Sequence, residues 1–279
     1  MLVNIHVPKN AGTTLNAVLA RNFGGRFEVL NLAEEVKSQS PKPWGENLFF
    51  LPPASEATCL TVLERAREAG VAAASGHWIY PFDQTTAEAK DLLLMTFLRH
   101  PVARLLSLYH YERKWSTRRP DIYGEKHCSQ RPFEEYIDLR GENATCIDNW
   151  QCYCLTGQRS GAVAIEKLRG FFFVGLVEHW NRSMILLQRA IQARGIENDF
   201  DIDYVRQHGA AATERSAVTL SAESRRRLIA HNGEDMALYE YARNRVESEW
   251  RALSGRHGAL ARLLAVRAIG HLRRRIGTA

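Results

Sequence analysis

The sequence predicts an α/β fold in which a central, mainly parallel sheet is flanked by helices. Three stretches carry that expectation. Leu2, Val3, Ile5 and Val7 form a short apolar run that leads through a glycine-containing loop to helically spaced Leu15, Val18, Leu19 and Phe23. Leu92 to Leu98 is a continuous apolar run, as a strand buried on both faces requires, and Pro101 opens a helix just beyond it. Phe171 to Glu178 repeats the pattern ahead of an amphipathic segment, Trp180 to Ala193. Strands separated by helical crossovers pair in parallel.

In chain order, the first helix is expected to run to about Asn22, with Gly24-Gly25 as its stop. A polar, proline-containing linker (Ser38 to Gly45) and a short strand (Asn47 to Leu51) follow. Ser55 caps a helix reaching Glu68, with apolar spacing at Leu60, Leu63 and Ala66. Val71 to Ala74 is the next strand, ending at Ser75-Gly76-His77-Trp78, and Thr85 to Asp91 a short helix. The charged, aromatic stretch from Glu112 to Ile147 (Trp115, Tyr123, Phe133, Tyr136) is either a substrate-binding insert or a helix and loop packed on the sheet.

A chain of 279 residues can bury one α/β core, so one domain, 1–254, is expected, followed by a basic amphipathic helix over 255–279. The net charge of +6 and pI near 9.2 suit an anionic partner. Much of the excess lies in Arg225 to Arg227, Arg243, Arg245 and the tail residues Arg262, Arg267 and Arg273 to Arg275. In the tail, Leu260, Leu263, Val266, Ile269, Leu272 and Ile276 make an apolar stripe that either lies on an anionic membrane or packs on a partner subunit. With no membrane-spanning run and a first strand too early for a signal peptide, the expected place is the cytoplasm, at the inner membrane face if the tail lies on a membrane. The five cysteines are an odd number, and the C-x5-C-x-C spacing of Cys146, Cys152 and Cys154 is not a zinc pattern, so free thiols and no metal are expected, with a disulfide involving Cys128 or Cys146 as the alternative. No nucleic-acid partner is expected.

The segment Pro8-Lys9-Asn10-Ala11-Gly12-Thr13-Thr14 has the makings of an anion site. A glycine admits close backbone approach, the helix start offers unpaired N–H groups and positive potential, and Lys9 with two hydroxyls completes the cradle. A nucleoside-triphosphate loop places lysine directly after its second glycine; here lysine precedes the only glycine. The string instead resembles the 5′-phosphosulfate loop of sulfotransferases that use 3′-phosphoadenosine 5′-phosphosulfate (PAPS), in particular carbohydrate enzymes related to heparan sulfate and uronyl 2-O-sulfotransferases. A second element, Arg99-His100-Pro101-Val102-Ala103-Arg104-Leu105-Leu106-Ser107-Leu108-Tyr109, resembles that family's 3′-phosphate-binding segment, and Gly76-His77 stands where it carries a catalytic histidine.

The resemblance implies a P-loop-like three-layer fold, with Lys9, Asn10, Ala11, Gly12, Thr13 and Thr14 around the 5′-phosphosulfate and Arg99 and Ser107 on the 3′-phosphate. It implies His77 as general base, Lys9 stabilising the leaving phosphate, and a rate that rises with pH near a histidine's ordinary value of about 6.5. Arg104 is expected to brace a neighbour. Asn149 to Gly157 resembles the family's N-x-Q-x-x-x-L-x-G, departing near Tyr153 where an arginine is common; Phe173 to Glu178 resembles F-V-G-x-x-E; and Asn232, Asp235, Leu238 and Tyr239 resemble its closing helices. Thr213 and Arg215 are further nucleotide-contact candidates, and His100 and His208 are alternative bases. The implied acceptor is a hydroxyl on a glycan or glycolipid, or alternatively on a small molecule or lipid. Two rival readings are a nucleotide phosphotransferase, which needs a metal-binding carboxylate at a strand end, and a polyanion-binding module without catalysis.

Overall fold

The computed structural model describes residues 1–33, 35–36, 53–116, 132–137, 148–197, 199–202 and 220–265. Among the described residues five strands, β1 (Leu2–Ile5), β2 (Phe27–Leu30), β3 (Ala73–Gly76), β4 (Leu93–Leu98) and β5 (Phe173–Leu176), form one sheet in the order β2-β3-β1-β4-β5. Every pairing is parallel. All four residues of β1 are buried, and Leu2 sits opposite both Ala73 and Leu93. Because the order leaves β1 in opposite directions toward β3 and β4, the segments after these three strands meet at one carboxyl edge, the place where open α/β sheets bind ligands.

The helices are α1 (Gly12–Phe23), α2 (Glu56–Glu68), α3 (Gln84–Ala89), α4 (Pro101–Ser116), α5 (Phe133–Tyr136), α6 (Trp150–Thr156), α7 (Gly161–Arg169), α8 (Trp180–Ala193), α9 (Ala222–His231) and α10 (Gly233–Ala252). Gly24, at φ 56°, ends α1 as its sequence suggests, and the Ser55 hydroxyl accepts from the Thr58 N–H at 3.3 Å to cap α2. The main core surrounds the sheet. A second cluster joins Leu105 and Tyr109 of α4 to Phe133, Tyr136, Trp150 and Leu228, so in Phe133 and Tyr136 the middle stretch contributes core.

Two strand expectations are corrected. Strand β2 has no counterpart in the sequence reading: it is four residues long, at the sheet edge, with Glu28 and Val29 exposed, so it lacks a buried apolar run. Strand β3 begins two residues later than expected, since the Val71 N–H is taken by Ala66 O in the turn after α2. Its small residues suit close packing: a Cβ on Gly76 would lie 2.8 Å from the Leu30 carbonyl. The linker Ser38 to Gly45 and the strand Asn47 to Leu51 lie outside the described residues.

Residues 256–265 of the tail are helical, and Leu263 is buried in the main core. Among the described residues no helix is long and apolar enough to cross a membrane. Cys59 and Cys152 are buried free thiols, and Cys154 is partly accessible. Burial pushes the Cys59 thiol up to about 11. Cys128 and Cys146 lie outside the described residues.

Candidate active site

The loop between β1 and α1 is wound tightly for its composition. Lys9 at φ 71° and Ala11 at φ 61° both hold the left-handed region, which costs an L-residue about 1–2 kcal/mol. The Asn10 N–H turns back on Val7 O at 3.3 Å and the Thr14 N–H on Ala11 O at 3.0 Å. The start of α1 and the positive end of its dipole follow directly, and such a helix start suits a tetrahedral anion. Thr13 is exposed and Thr14 half-buried at the first turn of α1.

The strain is held by a network of hydrogen bonds. Asn10, 1 % exposed, turns inward, and its Nδ2 donates to Phe97 O and to Gln151 Oε1, both at 2.8 Å. Arg99 Nη1 donates to the Lys9 carbonyl at 3.1 Å. Gln151 then closes the ring: its Oε1 accepts from Arg99 N at 3.0 Å, and its Nε2 donates to Arg99 O at 2.8 Å. Asn10 is thus a brace, and the loop is locked to the end of β4. Glu178 Oε1 accepts from His100 N at 3.0 Å, so the start of α4 is served by carboxylate and amide oxygens.

Gln151 is in turn fixed by reciprocal helix caps. Asn149 Oδ1 accepts from Glu234 N and Asp235 N, both at 3.0 Å, at the start of α10. The fully buried Asp235 accepts from Gln151 N at 3.0 Å and Cys152 N at 2.8 Å at the start of α6. Each helix therefore caps the other, which satisfies the orphan N–H groups of both. The spacing of Asn149, Gln151, Asn232 and Asp235 in the sequence follows from this arrangement.

The amine of Lys9 lies 3.8 Å from the ring centroid of Tyr111, a cation–π contact. Tyr111 is one helical turn beyond Ser107 on α4, so the two share a face. The cation of the loop and the predicted phosphate-binding serine are thus directed to the same side of α4. Tyr111 carries no motif that would have marked it. Arg104 is completely buried.

His77 follows β3 and stands beside the loop. Its Nδ1 lies 2.7 Å from the carbonyl oxygen of His6. A carbonyl only accepts, so Nδ1 carries the proton and Nε2 presents the lone pair. The His77 ring stacks on that of His6, with centroids 4.2 Å apart and planes 25° apart. His6 in turn fills the space over Gly12, where a Cβ would lie 1.7 Å from its Nε2. Gly12, the His6 ring and the His77 ring therefore form one layered stack, whose thickness sets the spacing of base and loop. Sequence reading passed over His6; its place directly before the loop was the available signal.

Burial lowers the pKa of both imidazoles, His6 further than His77, and Lys9 reinforces the shift. His77 is therefore neutral below the ordinary histidine value, which moves the expected pH limb down from about 6.5. His100 is a weaker base candidate: its backbone is tied to Glu178, and its ring meets the edge of Tyr239 at 5.3 Å. Thr213, Arg215 and His208 lie outside the described residues.

Fold and site together define an α/β protein with a tightly wound loop before α1 and an imidazole whose pKa burial lowers, both at one carboxyl edge of a parallel sheet. The chain belongs to the Sulfotransferase family, whose model matches residues 1–242. It is 28 % identical over 206 residues to an uncharacterised protein of Archaeoglobus fulgidus, covering 69 % of this chain and 73 % of the relative. Among solved structures it is similar to a sulfotransferase from Alicyclobacillus acidocaldarius, at 17 % identity and a TM-score of 0.48, covering 87 % of this chain and 95 % of the other.

Proposed function

We propose that this chain moves a sulfuryl group from PAPS to a hydroxyl of a carbohydrate, with His77 as general base and Lys9 stabilising the leaving 5′-phosphate. The observation that carries the reading is the 2.7 Å contact of His77 Nδ1 with the His6 carbonyl, because it leaves Nε2 as the basic atom at the edge of the loop. Family membership supplies the reaction class: a sulfuryl group goes to an acceptor hydroxyl.

The chemistry runs as an in-line displacement. The acceptor oxygen forms a bond to sulfur while the bond from sulfur to the 5′-phosphate oxygen breaks, and the hydroxyl proton passes to His77 Nε2. Negative charge grows on the departing oxygen, where Lys9 and the N–H groups of the loop stand ready without reorganising. Arg99 and Ser107 hold the 3′-phosphate, the guanidinium through charge-assisted hydrogen bonds.

Sulfur-labelled PAPS incubated with fractionated glycans and metabolites tests the reading. The expected outcome is label in a glycan fraction that depends on His77. Label transferred from a γ-phosphate of ATP instead, or none from PAPS to any fraction, would overturn it.

A further inference from the structure

Lys9 is held at both ends by one unit of the fold, β4 with α4. Arg99, directly after β4, donates to the Lys9 carbonyl at 3.1 Å and so fixes the backbone from which the side chain leaves. The ammonium at the other end stands 3.8 Å from the centroid of the Tyr111 ring on α4. Every other cation–ring distance among the described residues is 5.4 Å or more. The Lys9 amine thus sits against the ring face, where the ring quadrupole attracts a cation most.

The helix that carries the ring is fixed. Leu105, Leu108 and Tyr109 of α4 are buried in the second core cluster with Phe133, Tyr136 and Trp150, so α4 cannot turn about its axis without opening a packed core. Arg104, Ser107 and Tyr111 recur at helical spacing on another stripe of α4, and Arg104 is completely buried there. Long helical side chains lean back over the preceding turn, which for Tyr111 is the turn of Ser107. Lysine has the opposite character: its flexible stem loses much rotamer freedom when the ammonium is put in one place. A ring face offsets that loss without neutralising the charge, which a carboxylate would do.

We infer that Tyr111 is a positioning residue for Lys9: its ring face holds the ammonium on the α4 side of the loop, in place before charge grows on the departing phosphate oxygen. The inference rests on the reading of Lys9 as the group that meets that charge. A cation already placed needs no reorganisation as the sulfur–oxygen bond breaks, so removing the ring costs turnover rather than substrate binding. The ring face does this, not the hydroxyl, and an unsubstituted ring serves as well.

The test compares the full chain with Tyr111→Phe and Tyr111→Leu, each with and without Lys9→Ala. Turnover is read as release of 3′,5′-diphosphoadenosine from PAPS, which requires no identified acceptor. Tyr111→Leu should lower kcat roughly three- to tenfold with the KM for PAPS nearly unchanged, and Tyr111→Phe should keep most of the rate. In the Lys9→Ala background neither change should matter further, because the two residues act as a unit. In proton NMR the CH₂ next to the Lys9 amine should be shifted upfield by the ring in the wild type and in Tyr111→Phe but not in Tyr111→Leu; Lys9→Ala identifies the signal. An unchanged kcat in Tyr111→Leu, equal losses in both Tyr111 variants, a loss that persists in full without Lys9, or an unshifted Lys9 signal in the wild type would overturn the inference. A Tyr111-dependent shift in a protein that consumes no PAPS would overturn sulfuryl transfer while supporting the hold on the ammonium, so the two failures are distinguishable.

Discussion

The two sides of the cleft are held by different forces. The loop side is a hydrogen-bonded frame in which Asn10, Arg99 and Gln151 tie two left-handed residues to the end of β4. The histidine side rests on one carbonyl contact and one ring stack, with apolar groups around them. A frame of mutually satisfied buried polar groups resists any change of shape, because each lost partner strands another. An aromatic wall accepts changes of side chain more readily. Substitutions on the loop side should therefore disturb donor binding and stability together, while those at His77 should leave donor binding alone.

The sharpest way to break this contrast is His77→Ala. Transfer should fall by roughly 10²- to 10⁴-fold while calorimetric affinity for 3′,5′-diphosphoadenosine stays within about twofold. A loss of nucleotide affinity would mean that the two sides are not separable. Lys9→Ala should act on both quantities, with a rate loss of roughly 10²- to 10³-fold and weaker nucleotide binding in the same titration. An unaltered affinity would move Lys9 away from the bound donor.

Gln151→Ala examines the frame itself. It removes the partner of the Asn10 amide, the Arg99 N–H and the Arg99 carbonyl at once, so urea unfolding should report a loss of about 3 kcal/mol. A loss below about 1 kcal/mol would show that the frame relaxes. Arg99→Ala should abolish most of an expected preference of roughly tenfold for 3′,5′-diphosphoadenosine over AMP, seen by competition binding. Because Arg99 also grips the Lys9 carbonyl, some affinity for AMP should be lost as well.

The smallest expected effect is on pH. Burial lowers His77, so the wild-type rate should rise with pH through an apparent pKa below about 6.5 and be level above it, with this limb absent in His77→Ala. The sign for stability is the same. Both His6 and His77 bind protons more weakly folded than unfolded, so their contribution is complete above about 6.5 and is lost as pH falls toward the folded values. His6→Phe, which keeps a flat ring over Gly12, should reduce that acid sensitivity, as thermal unfolding at a series of pH values would report.

The sequence alone determined the strand, loop and helix around Lys9, the buried strand before Arg99 and the placement of His77 at a strand end. Apolar periodicity, proline and glycine act over one or two turns of chain, and such short-range signals can be read in order. Only the tertiary structure decided which side chains hold that site. The Asn10 amide meets Gln151 across 141 residues, and Asn149 caps a helix 86 residues away at Asp235. The His6 ring fills the room that Gly12 leaves, and Trp78 holds a left-handed conformation in which its carbonyl accepts from Ala54 N. None of these leaves a periodic trace, since each is fixed by where the sheet order brings distant segments together. The short, half-exposed β2 belongs with them: its pairing to β3, not its own composition, makes it a strand.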